Sequence, residues 1–300
     1  MVHYSKCPLC GSKETGLYIQ TNDFFLTGEP FSLFRCSACG FIFTQDHPDE
    51  SSIGRYYSSD EYLSHNDTAK GISGRLYRFT RSIMLRRKRR MVEQMTGTEK
   101  GTLLDIGSGT GHFLGEMKRA GWEVKGIEIN EKARQYSVSE QNVDVIDPGL
   151  VSFLPTGSFD CISLWHVLEH FHDPDSYVNE ILRLLKPGGV CIIALPNSDS
   201  FDSGYYRKFW AAWDVPRHLW HFTPAVFGFF AQKNGFRIKA IRSLPMDVFY
   251  ISMLSEKYKK SFLYFPAGII KGAYFSILSV FRKNKSSSLV YFLKKIQDHS

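Results

Sequence analysis

The chain has 300 residues, of which 43% are hydrophobic and 15% aromatic, enough for one large or two modest domains with a substantial core. Its formal net charge of +7 favours anionic partners such as nucleic acid, phosphorylated metabolites or a lipid surface, without choosing among them. The opening MVHYSKCPLC has no charged leader before an apolar stretch, so nothing in it argues for secretion and we expect a protein of the reducing cytoplasm.

Residues 1–46 hold two Cys-x-x-Cys pairs, Cys7 with Cys10 and Cys36 with Cys39. This spacing is typical of a structural four-thiolate site in which the 25 intervening residues supply a hairpin. A module this small cannot fold by apolar burial alone, whereas a bound metal contributes on the order of 10 kcal/mol. We therefore predict a Zn²⁺ site, with iron as the alternative, and do not expect redox catalysis by these cysteines.

Residues 47–100 are predicted as a linker followed by a basic helix. Leu76, Phe79, Ile83 and Met84 follow a helical spacing, and the helix then carries the basic run 86–90, RRKRR. We interpret this run as a solvated helix face, with a nucleic-acid site as the alternative.

From Gly101 onward, short apolar strands alternate with helices, which predicts a parallel sheet covered by helices on both faces. The predicted strands are 102–106, 123–129, 143–146, 159–165, 190–196, 236–244 and 287–295, and the predicted helices are 111–120, 131–140, 175–185 and 224–234. The fold class is therefore α/β: a doubly wound, mostly parallel seven-stranded sheet within residues 101–300, preceded by the small four-cysteine module.

The turn after the first of these strands has the pattern D-x-G-x-G-x-G over residues 105–111. A dinucleotide fingerprint, G-x-G-x-x-G, would need a third glycine at His112 or Leu114, so it fails. A carboxylate at the strand end would repel a pyrophosphate but suits an ammonium group. Glu128, at the end of the next strand, is placed to bind the hydroxyls of a ribose. Together these features describe a site for S-adenosylmethionine better than one for a nicotinamide.

Further segments accompany this turn, and together they closely resemble the class I S-adenosylmethionine-dependent methyltransferases, in the branch with ubiquinone O-methyltransferases and many bacterial sugar or small-molecule enzymes. The resemblance covers roughly 101–245 and rests on segments 104–111, 128, 158–160, 167–170, 185–189 and 195–197.

This resemblance implies that S-adenosylmethionine is held by Asp105, Gly107, Gly109, Glu128, Ile129, Leu150 and Trp165. The first three would contact its methionyl and ribose parts, and Glu128 would bind the ribose hydroxyls. The next two would flank the adenine, and the tryptophan would close the pocket. Cys161 and Cys191 would lie on neighbouring strands of such a sheet as buried, inert thiols.

The string His166-Val-Leu-Glu169-His170 matches the H-x-x-E-H pattern of one class of zinc protease. That chemistry needs the string on a helix, whereas here it follows a predicted strand, so we place it in the turn beyond. In the ubiquinone O-methyltransferases the same place carries two glutamates and a histidine that bind a divalent cation, but this chain has His166 for the first glutamate. We therefore expect a structural role for Glu169 and His170.

Residues 209–224 combine aromatic residues, two histidines and an arginine at the carboxyl ends of the strands, where ligands bind in such folds. We predict His218 as a general base, with Arg217 and His221 as orienting or anion-binding groups. The alternative is a packed cap in which His218 bonds to the backbone.

An insertion at about 250–285 carries one apolar helical stripe. A transmembrane span is disfavoured because Pro266 interrupts it and Lys271 near its centre would cost ~2.5–3.5 kcal/mol. The stripe is interpreted as docking on the fold or as a homodimer contact, and peripheral contact with an anionic membrane stays open.

The leading hypothesis is a methyltransferase acting on a small molecule, for instance a sugar or another cell-surface precursor. The alternative is an RNA methyltransferase that grips nucleic acid with the zinc module and the basic run. The single short basic run, and a strand end reading Leu-Pro-Asn-Ser, favour the first. A non-catalytic S-adenosylmethionine-binding module is the third reading.

Overall fold

The computed structural model describes residues 1–57 and 72–296, and two sheets organise these residues. The strands are β1 (Thr15–Asn22), β2 (Pro30–Cys36), β3 (Ile42–Gln45), β4 (Thr102–Ile106), β5 (Glu123–Ile127), β6 (Asp144–Ile146), β7 (Phe159–Trp165), β8 (Leu185–Pro196), β9 (Trp220–His221), β10 (Phe236–Ser243) and β11 (Ser288–Lys295). The helices are α1 (Ile72–Thr96), α2 (His112–Arg119), α3 (Glu131–Gln141), α4 (Pro174–Leu184), α5 (Phe201–Tyr206), α6 (Pro224–Lys233), α7 (Asp247–Tyr258) and α8 (Tyr264–Phe281).

The larger sheet has seven strands in the order β10-β11-β8-β7-β4-β5-β6. The strands from β8 through β6 run parallel to their neighbours, whereas β11 is antiparallel to both β8 and β10. This confirms the predicted α/β class with a doubly wound, mostly parallel sheet. Because strand order reverses beside β4, the carboxyl ends of β4, β5 and β7 form the crevice where such sheets bind ligands.

Helix starts along this edge are fixed by side-chain caps. Asn130 accepts a hydrogen bond from the amide of Ala133 at the start of α3, 3.0 Å away. Asp173 caps α4 in the same way, and Pro174 takes its first position, where the missing N–H costs nothing. The capped starts keep the loops after β5 and β7 short, so their side chains stay near the strand ends.

The smaller sheet has the order β1-β2-β3-β9, so its last strand comes from the distant segment around residue 220. Ile42 and Phe43 pair with His221 and Trp220. Cys36, Phe41 and Phe43 belong to the same buried core as residues of β7 and β8. The N-terminal module is thus packed into the rest of the protein. The predicted boundaries 1–46, 47–100 and 101–300 stay a prediction, and the middle segment lies partly outside the described residues.

Cys161 on β7 and Cys191 on β8 lie on adjacent strands and are fully buried. Burial raises the pKa of both thiols. Because a thiol needs to ionise to react, these two cysteines are inert core residues in this geometry.

Candidate active site

The glycine turn between β4 and α2 borders an open space at one of its residues. Gly107, Gly109 and Gly111 all have positive φ, at 71°, 53° and 72°. A Cβ at Gly107 would lie 2.4 Å from Cγ2 of Val167, so no side chain fits there. A Cβ at Gly109, in contrast, would meet no other heavy atom within 4 Å. The backbone at Gly109 therefore borders a space that a ligand can occupy.

Two acids lie near this turn, close enough for their charges to interact. Asp105, at the end of β4, is buried and accepts a hydrogen bond of 2.6 Å from the hydroxyl of Ser163. Burial raises the pKa of Asp105 to about 7. Glu128, just after β5, accepts hydrogen bonds from the amides of Gly109 at 2.8 Å and Asn130 at 2.9 Å. Each of its oxygens keeps a second lone pair for further donors.

The three residues expected around an adenine and its pocket lie on this same edge. Ile129 and Leu150 are both exposed apolar side chains. Trp165, the last residue of β7, packs edge-on against Phe113 with ring centroids 5.5 Å apart. Its indole N–H has no hydrogen-bond partner among the described residues.

Lys88, which was not among the predicted site residues, also lies at this edge. Its Nζ lies 4.2 Å from the ring centroid of Trp165, and its charge interacts with Asp105 and Asp247. Burial lowers the pKa of Lys88. Interpreting the basic run as a solvated face is therefore wrong for this one lysine, although it holds for the exposed Arg86, Arg87 and Arg90. The available signal was helical spacing, because Lys88 continues the buried stripe through Met84, Met91, Val92 and Met95.

The segment after β7 forms a polar cluster. His166 has a left-handed φ of 61°, and only Leu168–His170 form a single 3₁₀ turn, so the H-x-x-E-H string lies in a turn, as expected. Nε2 of His166 lies 3.0 Å from Oδ2 of Asp247, and its Nδ1 lies 3.5 Å from Oε1 of Glu169. Burial opposes a charge on this ring, but the two carboxylates outweigh it and raise the pKa of His166 to about 9.

Glu169, His170 and His218 converge beside this pair. One ligand atom from each lies within 4.8 Å of the others. The carboxylate of Glu169 is 0% exposed, and neither of its oxygens has a hydrogen-bond partner among the described residues. Beyond its ion pair with His166, this carboxylate keeps acceptor positions that a ligand or a cation could fill, and the expected structural role of Glu169 stays a prediction.

The tautomers of the two histidines follow from their partners. Nδ1 of His170 lies 3.0 Å from the carbonyl oxygen of Arg217, and Nδ1 of His218 lies 2.9 Å from that of Ala212. A carbonyl only accepts, so each Nδ1 carries the hydrogen and each Nε2 keeps a lone pair. Burial, with His218 nearby, lowers the pKa of His170 to about 4. The cluster can therefore accept a proton or coordinate a divalent cation.

Arg217 and His221 are directed away from this cluster, toward the N-terminal sheet. The side chain of Arg217, 1% exposed, binds Oδ1 of Asp23 at 2.9 Å and Oδ1 of Asp214 at 2.6 Å, and donates to the carbonyl of Tyr56. A ligand anion would have to displace one of these carboxylates. His221 is buried with Nε2 3.1 Å from the hydroxyl of Thr44, and burial lowers its pKa far below the usual range. Of the three residues predicted for catalysis, only His218 therefore lies in the cluster with Glu169 and His170.

The four module cysteines meet at one point. Sγ of Cys7 lies 3.7 Å from that of Cys39, Sγ of Cys10 lies 3.7 Å from that of Cys36, and all four lie within 4.8 Å of one another. A disulfide would need about 2.05 Å, whereas thiolates around tetrahedral zinc at about 2.3 Å are separated by roughly 3.8 Å. Both knuckles also close alike, since the amides of Gly11 and Gly40 donate to the carbonyls of Cys7 and Cys36. The donor set fits one tetrahedral ion.

Comparison with known proteins assigns the family. Residues 77–241, more than half of the chain, match a family model described as a methyltransferase domain. The chain is 35% identical over 103 residues to a ubiquinone biosynthesis O-methyltransferase of Caulobacter vibrioides, covering 32% of this chain and 41% of the relative. It is 32% identical over 126 residues to the protein of the same name from Caulobacter sp. strain K31, covering 40% and 50%. The matches span half or less of these relatives.

A solved structure shows the same fold: Burkholderia thailandensis 1,6-didemethyltoxoflavin-N1-methyltransferase with bound 1,6-didemethyltoxoflavin and S-adenosylhomocysteine. The TM-score is 0.52 at 16% identity, and the alignment covers 86% of this chain and 96% of that one. Fold, glycine turn and family match define a class I S-adenosylmethionine-dependent methyltransferase. The chain belongs to the methyltransferase-domain family.

Proposed function

We propose that this protein binds S-adenosylmethionine at the turn after β4 and transfers its methyl group to a small-molecule acceptor. The observation that carries the proposal is the pair of acids at the ends of neighbouring strands: Glu128 binds the amide of Gly109 beside the open space, and Asp105 lies close enough for the two charges to interact. Glu128 would bind the ribose hydroxyls, and Ile129 and Leu150 would flank the adenine. At the methionyl end, Asp105 and Lys88 supply the opposite charges that an amino acid's ammonium and carboxylate require.

S-adenosylmethionine supplies a methyl group made electrophilic by its sulfonium, so the acceptor atom forms a bond to that carbon as the carbon–sulfur bond breaks. The chain's own residues must orient the acceptor and take the proton that it releases. We assign that proton to Nε2 of His218, whose lone pair is left available by its Nδ1 bond to Ala212. The carboxylate of Glu169 then stabilises the imidazolium that forms.

The acceptor proposed is a hydroxyl-rich small molecule, such as a sugar or another cell-surface precursor. The charged and imidazole groups of Glu169, His170, His218 and the His166–Asp247 pair offer a polar lining, which suits hydroxyl groups better than an apolar ring system. RNA is the weaker candidate, because Lys88 faces inward and Arg89 is engaged by Glu93 and Glu116. The run therefore offers no continuous row of cations for phosphates.

We also propose that Zn²⁺ in the four-cysteine site is structural. The module contributes β3, whose Thr44 donates its hydroxyl to the carbonyl of His218 at 2.8 Å and its amide to that of Leu219 at 2.9 Å. The metal would stabilise the sheet that holds the proposed base in place.

Isothermal titration calorimetry with S-adenosylhomocysteine on the zinc-loaded chain tests the cofactor site. We expect Asp105→Ala and Glu128→Ala to weaken binding by at least about tenfold, since each removes a charge-assisted hydrogen bond. Glu131→Ala, an exposed acid in the first turn of α3, is the matched control and should bind as the wild type does. No heat with the wild-type protein would sink the proposal.

Transfer of a labelled methyl group into a fractionated bacterial extract tests the acceptor class. We expect label in the small-molecule or lipid-linked fraction, sensitive to His218→Gln. Label confined to the RNA fraction, together with salt-sensitive RNA binding, would replace the small-molecule assignment with the RNA one.

A further inference from the structure

One long helix exposes an apolar face that no described part of the chain covers. On α8 the exposed apolar side chains recur every three or four residues, and the segment just before it adds more. Phe262 is 97% exposed and Phe281 is 82% exposed. The whole set, called here the α8 face, is Phe262, Leu263, Phe265, Ile269, Ile270, Tyr274, Ile277, Val280 and Phe281.

The opposite side of α8 is fixed to the protein. A Cβ at Gly268 would lie 2.5 Å from the Cα of Met253, and a Cβ at Gly272 would lie 2.9 Å from the Cα of Phe249. These two glycines let α8 approach α7 at backbone distance, and Phe275 is buried in the same seam. The α8 face therefore points outward, because the opposite side of the helix packs against α7.

The chain around this hairpin also limits how it can meet a membrane. Helix α7 follows β10 and α8 leads into β11, which lies inside the seven-stranded sheet, so both ends are held by the domain. Among the described residues, α8 is the one helix whose length and composition would allow it to cross a membrane. With its ends and one side held, it can instead lie flat, and at about 1.5 Å per residue its 18 residues present a ridge roughly 27 Å long.

The charges around the α8 face are mostly positive, although Lys259 lies 3.9 Å from Glu256 and Lys285 lies 2.5 Å from Asp199. Residues 247–285 contain seven lysines and arginines and only two acids, Asp247 and Glu256. Lys257, Lys259 and Lys260 lie at the end of α7, and Arg282, Lys283 and Lys285 follow the end of α8. Lys271, inside the helix, lies over the ring of Tyr205 at 4.5 Å and so leaves the apolar ridge uninterrupted. An apolar ridge with cations at both ends complements an anionic lipid surface.

We propose that the α8 face docks this protein on the surface of an anionic membrane, with its apolar side chains at the acyl boundary and the flanking cations at the headgroups. A second copy of the chain fits less well, because face-to-face pairing would bring the two sets of cations together. This docking does not depend on the acceptor or on methyl transfer.

Co-sedimentation of the full chain with vesicles tests the proposal. We expect binding to vesicles of phosphatidylcholine with phosphatidylglycerol, weaker binding to phosphatidylcholine alone, and loss of the difference at high salt. Ile270→Asp and Ile277→Asp should each weaken vesicle binding by at least about tenfold, because a charge would replace an exposed aliphatic side chain that the proposal places at the acyl boundary. Val138→Asp, at an exposed apolar position on α3, is the matched control and should bind normally.

Charge-reversal variants measure how much the cations that flank the α8 face contribute to vesicle binding. Lys260→Glu with Lys283→Glu should reduce binding to the anionic vesicles, and Lys132→Glu, an exposed lysine on α3, should not. Sedimentation equilibrium without lipid tests the alternative that the α8 face joins two copies of the chain. A dimer that Ile277→Asp converts to a monomer, with no vesicle binding by the wild type, would overturn the proposal. Binding of S-adenosylhomocysteine in solution should be unchanged in every variant, so failure here leaves the proposed function untouched.

Discussion

Asp247, in the first turn of α7, places Oδ2 3.0 Å from Nε2 of His166, the left-handed residue after β7. This contact joins the base of the α7–α8 hairpin to the polar cluster of the candidate active site. Glu169 faces the other nitrogen of the same ring. The His166 imidazolium thus holds the start of α7 against the turn after β7. Loss of its proton would remove the charge that both carboxylates face.

Stability should therefore depend on pH through His166. Its pKa rises from 6.5 to about 9 on folding, so its contribution is fully present below about pH 6.5 and is lost as the pH rises through about 9. We expect the thermal midpoint, followed by circular dichroism, to fall across this window in the wild type and to fall less in Asp247→Asn. His3→Gln, which removes an exposed histidine paired with Asp46, should keep the wild-type profile. Identical profiles in all three proteins would refute the assignment.

Lys88 should contribute to cofactor affinity. In Lys88→Met the aliphatic stem is largely kept while the charge beside Asp105 is lost, so we expect S-adenosylhomocysteine to bind about tenfold more weakly. Arg87→Met, which removes a neighbouring exposed charge of the same run, should leave binding within about twofold. Calorimetry measures both. Equal effects of the two substitutions would show that only the overall charge matters.

His218 should affect turnover rather than cofactor binding. Removing the proposed base in His218→Gln is expected to lower kcat by about 10²–10⁴-fold, with S-adenosylhomocysteine affinity unchanged. A wild-type kcat in His218→Gln would mean that the residue is part of a packed cap, bonded to the carbonyl of Ala212 and nothing more.

Arg217 should matter for folding. Arg217→Met leaves the buried Asp23 with the hydrogen bonds of its own loop but without its counter-charge, and breaking a buried pair in this way typically costs about 3–5 kcal/mol in the free energy of unfolding. The comparison is Lys233→Met, whose exposed pair with Asp175 should contribute at most about 1 kcal/mol. Denaturant unfolding measures both. A loss below about 1 kcal/mol in Arg217→Met would restore the alternative of an anion-binding arginine.

Metal content should distinguish the two clusters. We expect one zinc per chain in metal analysis, lost in Cys36→Ser and retained in Cys191→Ala, because only the former residue belongs to the four-thiolate site. Chelation should lower the thermal midpoint and abolish methyl transfer together, since the module positions the loop of His218. A second metal per chain that disappears in Glu169→Gln would instead make Glu169, His170 and His218 a cation site.

The elements with strong local signals were predictable. The strand FDCISLW is found at Phe159–Trp165 as predicted, because a run of apolar residues between turn signals has few alternatives in a doubly wound sheet. Strand β8 begins at Leu185, five residues before the predicted 190, because Leu185 already pairs with Phe159 of β7. The turn residues Lys186–Gly189 do interrupt this pairing, with Gly188 at a φ of 77°, and regular pairing resumes at Val190.

The side-chain directions in the site were less predictable. Arg217, His218 and His221 lie within five residues of one another, yet only His218 faces the cluster, because β9 pairs with β3 and turns His221 toward Thr44. That pairing joins positions almost 180 residues apart, and no local pattern encodes it. The same holds for Lys88, whose inward direction depends on where α1 crosses β7 and β8.

Because β3 pairs with β9, residues 101–300 are not expected to fold correctly when they are separated from the N-terminal module. A version trimmed to residues 101–300 would expose a two-residue strand with no ladder to join and leave Arg217 without Asp23. Exchanging such N-terminal modules between relatives, or replacing this one with an affinity tag, would therefore also remove Thr44, which supports the backbone of His218.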